Sequence, residues 1–554
     1  MQKKILVNGE CSLLPTGFAA VSKNLCQGLH DNGFDVCELA SYAHVDDPNL
    51  RQLPWRAIGN MPEKNNPSQE EVNAYNSKVE NQWGEHRFND VCLEFNPDVI
   101  LDARDSWYCE YIQRSPFRDN FNFVYMPTCD SSPQNPEWIQ LFNNTDVILA
   151  YSDWAKEVLL KQCGNQINFK GVPAVGIDFN IFKPPQNKAK QKANFGLRED
   201  IILVGTCQRN QRRKCFPELI EAFAKFLKVA SKNIAERTFL YLHTSYPDVG
   251  WHIPTLLKEF GVSSKVLFTY ICQNCKLVEA SLFKDARSAC KRCRSPQVAM
   301  PNCGIGVPTE ILAEVYKMFD VYVQISTAEG LGVPVIEASA CGVHPMVTNY
   351  SAMEDFVWKL GATPINVKSF VRESETHCYR ASSDQNDLVN KLLEFLSLPE
   401  GLRLAKGYEA HLGAKQYYSW DRSVKVWIDA INSLPKKDIR KTWLSPIRIH
   451  QPITQLPNSH EHMSNEDFVR WAITNVLGRS ELLNSYFELR LMGDLNLGIR
   501  GESTGGMYFN ELSTLGTKPN FKQFNRQDAM GELVNLCNYY NHWEEKRYQK
   551  LSQR

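Results

Sequence analysis

The strongest indication of the fold lies in residues 326–337, which run Ser326-Thr327-Ala328-Glu329-Gly330-Leu331-Gly332-Val333-Pro334-Val335-Ile336-Glu337. The apolar run 321–325 before it predicts a buried strand, and residues 335–340 predict a helix with an early proline. The two glycines therefore lie in a turn between a strand and a helix. Backbone N–H groups and the positive end of a helix dipole make such a turn suitable for binding a phosphate.

Two carboxylates flank this turn, and their positions predict the kind of ligand. Glu329 precedes the turn, and Glu337 lies eight residues later, inside the predicted helix. One acid can hold a hydroxylated group beside the phosphates, and the other can hold a second group further along. A nucleotide sugar presents a sugar, a diphosphate and a ribose in that order. The alternative interpretation is a glycine turn followed by an ordinary surface helix.

This pattern resembles the EX7E signature of retaining GT-B glycosyltransferases, the GT4-like family (glycosyl transferases group 1). In that family the first Glu contacts the donor sugar, the second binds the ribose hydroxyls, and the backbone between them meets the diphosphate. The resemblance implies these roles for Glu329, for Glu337, and for Gly330, Leu331 and Gly332. It also implies that no catalytic metal is needed, because cationic side chains and a helix dipole offset the charge of the leaving diphosphate.

A basic segment at residues 205–214 resembles a second motif of the same family. It follows a predicted strand and precedes a predicted helix, and it holds Arg209 and, five residues later, Lys214. In the family, two such cations meet the donor diphosphate and stabilise the charge left when the sugar departs. Cys215 stands where the family commonly has a glycine. The alternative interpretation is a solvated basic loop.

Two residues of the first half of the chain complete the predicted site. Gly17 lies in the first strand-to-helix loop, where a family glycine lets the backbone approach the diphosphate or the acceptor, unless it is a plain turn glycine. Asp130 ends a predicted strand and is the candidate for orienting the acceptor hydroxyl or taking its proton, unless it is an N-cap or turn aspartate. The predicted catalytic set is Asp130 with Glu329, Arg209 and Lys214.

Four cysteines predict a structural zinc site of the ribbon type. They form two C-x-x-C pairs with 14 residues between them: Cys272, Cys275, Cys290 and Cys293. Four thiolates in this spacing match a tetrahedral zinc site, and a closed shell leaves no position for catalysis. Cys303 could replace one ligand, and the alternative is four unrelated buried thiols.

The ribbon is also locally basic. Residues 272–296 hold six basic residues against two acids, which permits contact with nucleic acid. A solvated face on a small knuckle is the alternative. Phe283 is the one aromatic residue in this range, which disfavours the reading of bases by stacking.

Composition sets wide limits on the class of protein. A chain of 554 residues predicts two or three domains, and 62 basic against 62 acidic residues indicate no particular partner. Many of the 17 cysteines stand singly in apolar segments, which is typical of reduced thiols. Without a secretory leader or an apolar run of about 18 residues, we expect a cytoplasmic protein with no transmembrane segment.

Alternating strands and helices predict an α/β protein with two Rossmann-like, doubly wound domains, the GT-B arrangement implied by the resemblance. Residues 48–80, polar and containing Pro and Asn, are expected to be an insertion or long loop. The expected division is an N-terminal acceptor-side domain (1–172), a donor-binding domain (173–434) with the zinc ribbon inserted at 269–304, a linker (435–463), and a small, mainly helical C-terminal domain (464–554).

The leading functional hypothesis is a retaining glycosyltransferase that moves a sugar from a nucleotide-diphosphate donor to an acceptor hydroxyl on a saccharide, lipid, protein or DNA. A second hypothesis keeps this chemistry but makes the acceptor a hydroxylated base in DNA, as in a viral DNA glycosyltransferase. In that case the ribbon and the C-terminal domain hold the duplex. A sugar-nucleotide epimerase is a third, which the EX7E pattern disfavours. A zinc-ribbon nucleic-acid-binding protein with a degenerate transferase core is a fourth, which the intact motif residues disfavour.

Overall fold

Two sheets covered by helices form the body of the protein in the computed structural model, which describes residues 2–284, 289–302, 306–374, 376–483, 486–501 and 521–553. The strands are β1 (Lys4–Glu10), β2 (Asp35–His44), β3 (Arg56–Met61), β4 (Val99–Asp102), β5 (Asn122–Tyr125), β6 (Val147–Leu149), β7 (Phe169–Gly171), β8 (Ile202–Cys207), β9 (Thr238–His243), β10 (Val266–Cys272), β11 (Val278–Leu282), β12 (Val298–Ala299), β13 (Val321–Gln324), β14 (His344–Thr348), β15 (Thr363–Ile365), β16 (Val367–Arg372), β17 (Tyr379–Ser383), β18 (Ile499–Gly501) and β19 (Phe521–Gln523).

The helices follow the strands through both halves of the chain and then dominate its C-terminal part. They are α1 (Gly17–Asp31), α2 (Gln69–Asn76), α3 (Glu85–Phe95), α4 (Ser106–Gln113), α5 (Pro136–Asn143), α6 (Asp153–Cys163), α7 (Lys188–Asn194), α8 (Phe216–Val229), α9 (Lys232–Arg237), α10 (Ile253–Glu259), α11 (Thr309–Lys317), α12 (Val333–Ala340), α13 (Met353–Leu360), α14 (Gln385–Ser397), α15 (Glu400–Tyr417), α16 (Trp420–Asn432), α17 (Asn465–Ala472), α18 (Tyr486–Leu497) and α19 (Arg526–Ser552). None of the helices in the described part of the chain combines the length and the apolar character that crossing a bilayer requires.

The two large sheets have the strand orders of doubly wound folds. The first sheet is β3-β2-β1-β4-β5-β6-β7, and the second is β11-β10-β9-β8-β13-β14-β15, with β12 beside β10. The first is parallel throughout, and in the second β11 and β12 run antiparallel to β10. Their central strands are apolar and buried because helices cover both faces. This confirms the predicted α/β class, and the strand order reverses at β1/β4 and at β8/β13, where ligands bind at carboxyl ends of strands.

One expectation about the first domain is wrong. Residues 48–80 do not form an insertion or long loop, because β3 within them is the edge strand of the first sheet, paired in parallel with β2. The strand was hidden because the residues around it are polar and include Pro and Asn. Its Asn60 is nevertheless buried, and its Nδ2 donates to the carbonyl oxygen of Asn81 at 2.6 Å.

The chain crosses back to the first sheet after completing the second. Helix α16 packs on α1 so closely that a Cβ on Gly28 would lie 2.5 Å from Cγ2 of Val424. The Lys3 ammonium donates to the carbonyl oxygen of Ile431 at 3.0 Å, close to the end of α16. These contacts hold the two domains together on the side of the molecule that carries α1.

The C-terminal region is mainly helical, as expected, and it has its own apolar core. Phe468, Ile473, Leu533 and Met530 are among its buried residues. Its long helix α19 lies on the first domain, where the Tyr540 hydroxyl donates to the carbonyl oxygen of Arg114 at 2.8 Å. The C-terminal region therefore extends the first domain, whereas the ribbon extends the second.

Candidate active site

The two-glycine motif forms a turn between a strand and a helix. Strand β13 ends at Gln324, and α12 begins at Val333 with Gly332 as its N-cap. Gly332 has φ = 91°, a left-handed conformation that glycine adopts without strain. The first N–H groups of a helix have no partners within it, so the start of α12 offers donors to an anion.

Glu329 lies at the centre of a cluster of charges beside this turn. Its Oε1 accepts from the Lys214 ammonium and, at 3.0 Å, from Nε2 of Gln324. Its Oε2 accepts from Nη1 of Arg213 at 2.9 Å. The side chains of Lys214 and Glu329 are 9% and 6% exposed. Burial opposes ionisation of Glu329, but the charges of Lys214 and Arg213 prevail and hold its pKa at about 2.

The loop that carries Lys214 is held in place by its backbone. Residues 212–214 form one 3₁₀ turn, and the N–H of Thr327 donates to the carbonyl oxygen of Arg213 at 2.9 Å. Cys215 has φ = 52°, so it adopts the left-handed conformation that the glycine usual at this position would take readily. Burial lowers the pKa of Lys214, the Glu329 carboxylate opposes that shift, and Arg213 adds to it.

Arg209, the other cation expected here, is bound elsewhere. Its Nη2 donates to Oδ1 of Asp248 at 3.0 Å and its Nε to Oδ2 at 3.1 Å, and its side chain is 43% exposed. The second cation on Glu329 is Arg213 instead. Three consecutive cations at 212–214 were visible in the sequence, but only the turn decides which of them faces Glu329.

Glu337 lies on α12 in a less polar environment. The Tyr316 hydroxyl donates to its Oε2 at 2.8 Å. Burial raises the pKa of Glu337 to about 7, against the opposing effect of the Tyr316 hydrogen bond. Its carboxyl group therefore changes charge near neutral pH, and in its ionised form it can accept hydrogen bonds from a pair of hydroxyl groups.

Glycines of both domains lie where the domains approach each other. A Cβ on Gly330 would lie 2.5 Å from Cγ2 of Thr128, so the turn of the second domain packs directly on the end of β5. A Cβ on Gly306 would lie 3.8 Å from Pro15, which places the loop before α1 beside the second domain. Gly17, the first residue of α1, would have no described atom within 4 Å of an added Cβ. The backbone at Gly17 is therefore accessible to a ligand.

Asp130 lies in an ion pair between the domains. Nη1 of Arg380, on β17, lies 2.7 Å from its Oδ2, and Nη2 of Arg380 lies 2.8 Å from Glu373. The Ser131 hydroxyl donates to the other carboxylate oxygen of Asp130 at 2.8 Å. Arg380 therefore orients Asp130 and also competes with any acceptor for the same carboxylate.

Asp105 is a second carboxylate at this edge of the first sheet that the sequence analysis did not identify. It follows β4 by three residues and precedes α4. Burial raises its pKa to about 7, repulsion by Asp130 adds to the shift, and Arg213 opposes it. A carboxyl group with a pKa near neutrality is suited to proton transfer. The sequence signal was a charged residue just beyond the carboxyl end of a buried strand.

The four ribbon cysteines come together as predicted. Their sulfur atoms lie within 4.8 Å of one another, with Cys272 to Cys293 at 3.6 Å and Cys275 to Cys290 at 3.5 Å. Four sulfurs about 2.3 Å from one zinc ion would lie about 3.8 Å apart. Cys303 lies outside the described residues.

The two halves of the ribbon share one backbone geometry. Lys276 and Arg294, each following the second cysteine of a pair, have φ = 57° and 61°. Their N–H groups donate to the carbonyl oxygens of Cys272 and Cys290, both at 2.9 Å. Two matched knuckles that face each other fit a tetrahedral metal ion.

The ribbon lies at the edge of the second sheet, away from the turn at Gly330. Strands β9 and β8 separate its strand β10 from β13. Glu279 pairs with Lys284 at 2.6 Å and with Lys291 at 3.2 Å, so part of the basic charge is neutralised within the ribbon.

Comparison with known proteins gives a family match for the segment with the motif and similar solved structures for the fold. Residues 305–403, which contain Glu329 and Glu337, match the family model for glycosyl transferases group 1. Sucrose-phosphate synthase from Thermosynechococcus elongatus has a similar structure, with a TM-score of 0.58 and 16% identity over 78% of this chain and 99% of that one. Among curated proteins, no sequence matches the chain.

Two further similar structures contain sugar nucleotides or their parts. Anabaena HepE, in complex with UDP and glucose, has a TM-score of 0.51 and 15% identity over 78% of this chain and 100% of that one. The E. coli structure described as trehalose-6-phosphate bound with UDP-2-fluoro glucose has a TM-score of 0.53 and 11% identity over 78% and 100%. At these identities the likeness establishes the GT-B fold.

Proposed function

We propose that this chain, whose residues 305–403 match the family model for glycosyl transferases group 1 and whose fold is GT-B, transfers a sugar from a nucleotide-diphosphate donor to an acceptor hydroxyl with retention of anomeric configuration. The observation that carries the proposal is the buried ion pair of Glu329 with Lys214, joined by the half-exposed Arg213, beside a strand-to-helix turn. A diphosphate at the start of α12 would lie between fixed positive charges and the helix dipole.

Each donor group has a matching partner in this proposal. The diphosphate meets the backbone of Gly330, Leu331 and Gly332 and the Lys214 ammonium. Glu329 accepts hydrogen bonds from the sugar hydroxyls, and Glu337, eight residues on, accepts them from the ribose. HepE binds UDP, so uridine nucleotides are the first donors to test.

Additional donor and acceptor contacts are proposed from the remaining cleft residues. Arg209 adds positive charge beside the diphosphate once its guanidinium leaves Asp248 and binds a phosphate oxygen. Gly17 lets the backbone of the first domain approach the donor, and Asp130, held by Arg380, orients the acceptor hydroxyl.

The proposed reaction exchanges one bond at the anomeric carbon for another on the same face. The bond between C1 and the β-phosphate oxygen breaks, and a bond from C1 to the acceptor oxygen forms. The acceptor proton passes to the leaving phosphate oxygen, so the nucleoside diphosphate departs and the charges balance. Lys214 stabilises the negative charge that grows on the leaving group, which is a role for a preorganised cation in a buried site.

A donor screen followed by product analysis tests this proposal. Nucleotide sugars are added to the full chain, and the midpoint of thermal unfolding is measured, because a bound donor stabilises the folded state. The best donor is then incubated with candidate acceptors, and the anomeric configuration of the product is determined by NMR. Inversion would contradict the retaining mechanism, and the absence of stabilisation by every sugar nucleotide would contradict donor binding.

The acceptor is to be sought among saccharides, lipids, proteins and DNA, and the structure bears on the DNA hypothesis. The ribbon extends the second domain and the C-terminal region packs on the first, so a duplex would have to contact both. Retention of duplex DNA at moderate salt, lost in a variant with Arg292 and Arg294 replaced by Gln, would support an acceptor in DNA. Transfer to a small saccharide with no DNA retention would contradict it.

We also propose that the four ribbon cysteines hold one structural zinc ion. Their spacing, sulfur separations and matched turns support a tetrahedral site with no open position. The ion would fold the insertion and leave sugar transfer to the cleft. The cysteine pattern of the sequence further supports a reducing compartment, and we propose the cytoplasm.

A further inference from the structure

A cavity with a basic lining lies where three parts of the chain meet, outside the candidate active site. It has a volume of about 300 Å³ and is enclosed by the first domain, the segment after α16, and the C-terminal region. Two carboxylates line it, Asp119 and Asp146. Six cationic side chains also line it: Arg114, Arg118, Lys437, Lys441, Arg448 and Arg479.

This cavity lies at the amino ends of strands of the first sheet, whereas the candidate active site lies at their carboxyl ends. Residues 113–119 precede β5 and residues 144–146 precede β6, so they lie at the amino ends of these parallel strands. Thr128 and Asp130 follow the carboxyl end of β5. The four residues of β5 span about 13 Å. The cavity and the candidate active site are therefore separated by at least the length of this strand. A ligand of this cavity would therefore not be the sugar donor.

Arg114 indicates what such a ligand would be. Its Nε and Nη2 are buried and have no hydrogen-bond partner within the described parts of the chain. Neighbouring Arg118, in contrast, is satisfied, since its Nε donates to Gln113 at 2.8 Å and its Nη2 to Asp146 at 2.8 Å. A buried guanidinium N–H without an acceptor costs free energy. A shift of the Arg114 side chain toward the cavity would offer these N–H groups to a phosphate oxygen, an acceptor that fits the planar fork.

The two carboxylates of the cavity pair with only some of its cations, with Lys437 at 3.9 Å from Asp146 and Arg448 at 3.6 Å from Asp119. Burial lowers the pKa of Lys437, Asp146 opposes that shift, and Arg118 adds to it. The Arg479 guanidinium lies over the ring of Tyr540, 5.1 Å from its centroid. Lys437 and Arg479 both line the cavity, and Arg118 and Lys441 repel Lys437, so an added anion would relieve repulsion between cations.

We propose that this junction cavity binds a small phosphorylated anion of the size of a phosphate, a diphosphate or a mononucleotide. The volume and the concave shape match a small ligand, and the excess of cations together with the unsatisfied Arg114 matches a multiply charged oxyanion. Because its lining comes from three parts of the chain, the bound anion would fasten the C-terminal region to the first domain.

The test measures binding of inorganic phosphate, pyrophosphate and ATP to the full chain by calorimetry, together with thermal unfolding. Arg114→Gln and Lys441→Gln remove one cavity cation each, and Lys441 is exposed, so its replacement preserves folding. Arg440→Gln is the matched control, because it removes the same charge from the neighbouring residue, whose side chain is 82% exposed and pairs with Asp438. We expect affinity for the best of the three anions to fall about tenfold in the two cavity variants and to stay unchanged in the control.

Three results would overturn the proposal. The first is equal anion affinity in all three variants, and the second is a loss of anion binding in Lys214→Met alone, which would assign it to the cleft. The third is retention of duplex DNA through Arg114 and Lys441 with no binding of the small anions. The rise in unfolding temperature caused by the sugar donor is expected to be the same in Lys441→Gln and in wild type. A failure of anion binding in the cavity can therefore be distinguished from a failure of donor binding in the cleft.

Discussion

Replacing Lys214 by Met removes one charge from the cluster around Glu329 and keeps the length of the side chain. In the wild type, Glu329 is bound by the Lys214 ammonium on one oxygen and by Arg213 at 2.9 Å on the other. In the variant, the carboxylate stays buried with Arg213 as its remaining cationic partner. The substitution therefore affects the free energy of unfolding and, if Lys214 meets the leaving diphosphate, the rate of sugar transfer.

Both effects have expected sizes. Breaking a buried ion pair by removing one partner costs about 3–5 kcal/mol, and the 9% and 6% exposure of the Lys214 and Glu329 side chains places this pair in that class. Losing one fixed group that stabilises charge in the transition state lowers kcat about 10²–10³-fold. We expect kcat for transfer to fall by that factor, with a smaller change in KM for the donor.

The combined variant Lys214→Met with Glu329→Gln isolates the effect on folding. It removes the buried carboxylate that has lost one of its two cations, so we expect stability to recover by more than half, while kcat stays low because Glu329 is itself proposed to bind the sugar. Lys225→Met is the matched control, because Lys225 pairs with Glu221 on the surface with 43% and 34% exposure and such pairs contribute about 1 kcal/mol or less. Recovery of kcat in the combined variant, or full kcat in Lys214→Met, would show that Lys214 has a purely structural role.

Two other predictions concern Glu337 and Gly330 of the same site, and a third concerns the ribbon. Burial raises the pKa of Glu337 to about 7, so donor affinity should rise between pH 6 and pH 8 as the carboxylate forms. Calorimetry should find no such rise in Glu337→Gln. The same dependence of affinity on pH in both proteins would contradict ribose binding by Glu337. Gly330→Ala should weaken donor binding at least tenfold, because the new Cβ would lie 2.5 Å from Thr128. Adding Thr128→Ser, which removes the clashing methyl group, should restore binding. Unchanged donor affinity in Gly330→Ala would contradict the close approach of the two domains. Mass spectrometry of the native protein should find one zinc ion per chain in the wild type and none in Cys290→Ser. Hydrogen exchange should increase in β10–β12 of this variant, while a measurable kcat remains. A metal-free wild type would contradict the zinc proposal.

Local sequence was enough to predict the motif turn and the ribbon. Gly330 and Gly332 between an apolar strand and a proline-initiated helix predicted the turn. The fold class inferred from it is confirmed, and residues 305–403 match the family model for glycosyl transferases group 1. The two C-x-x-C pairs predicted the sulfur cluster because each pair makes its own turn before the two halves meet.

The remaining features depend on contacts that spacing does not encode. Arg213 rather than Arg209 reaches Glu329 because one 3₁₀ turn rotates the side chains of the basic loop. Asp105 acquires its raised pKa from burial and from Asp130, residues that are brought together by neighbouring parallel strands. The edge strand β3 was missed because its burial depends on its place in the first sheet, which the local sequence does not show.

The central claim is that one cleft between the two domains binds a nucleotide-diphosphate sugar through Lys214, Glu329 and Glu337. A crystal structure with the donor found by the thermal screen tests it most directly. The account predicts the diphosphate at the start of α12 within hydrogen-bond distance of the Lys214 ammonium, the sugar at Glu329, and the ribose hydroxyls at Glu337. A donor bound in another part of the molecule, or one whose phosphates point away from α12, would contradict it.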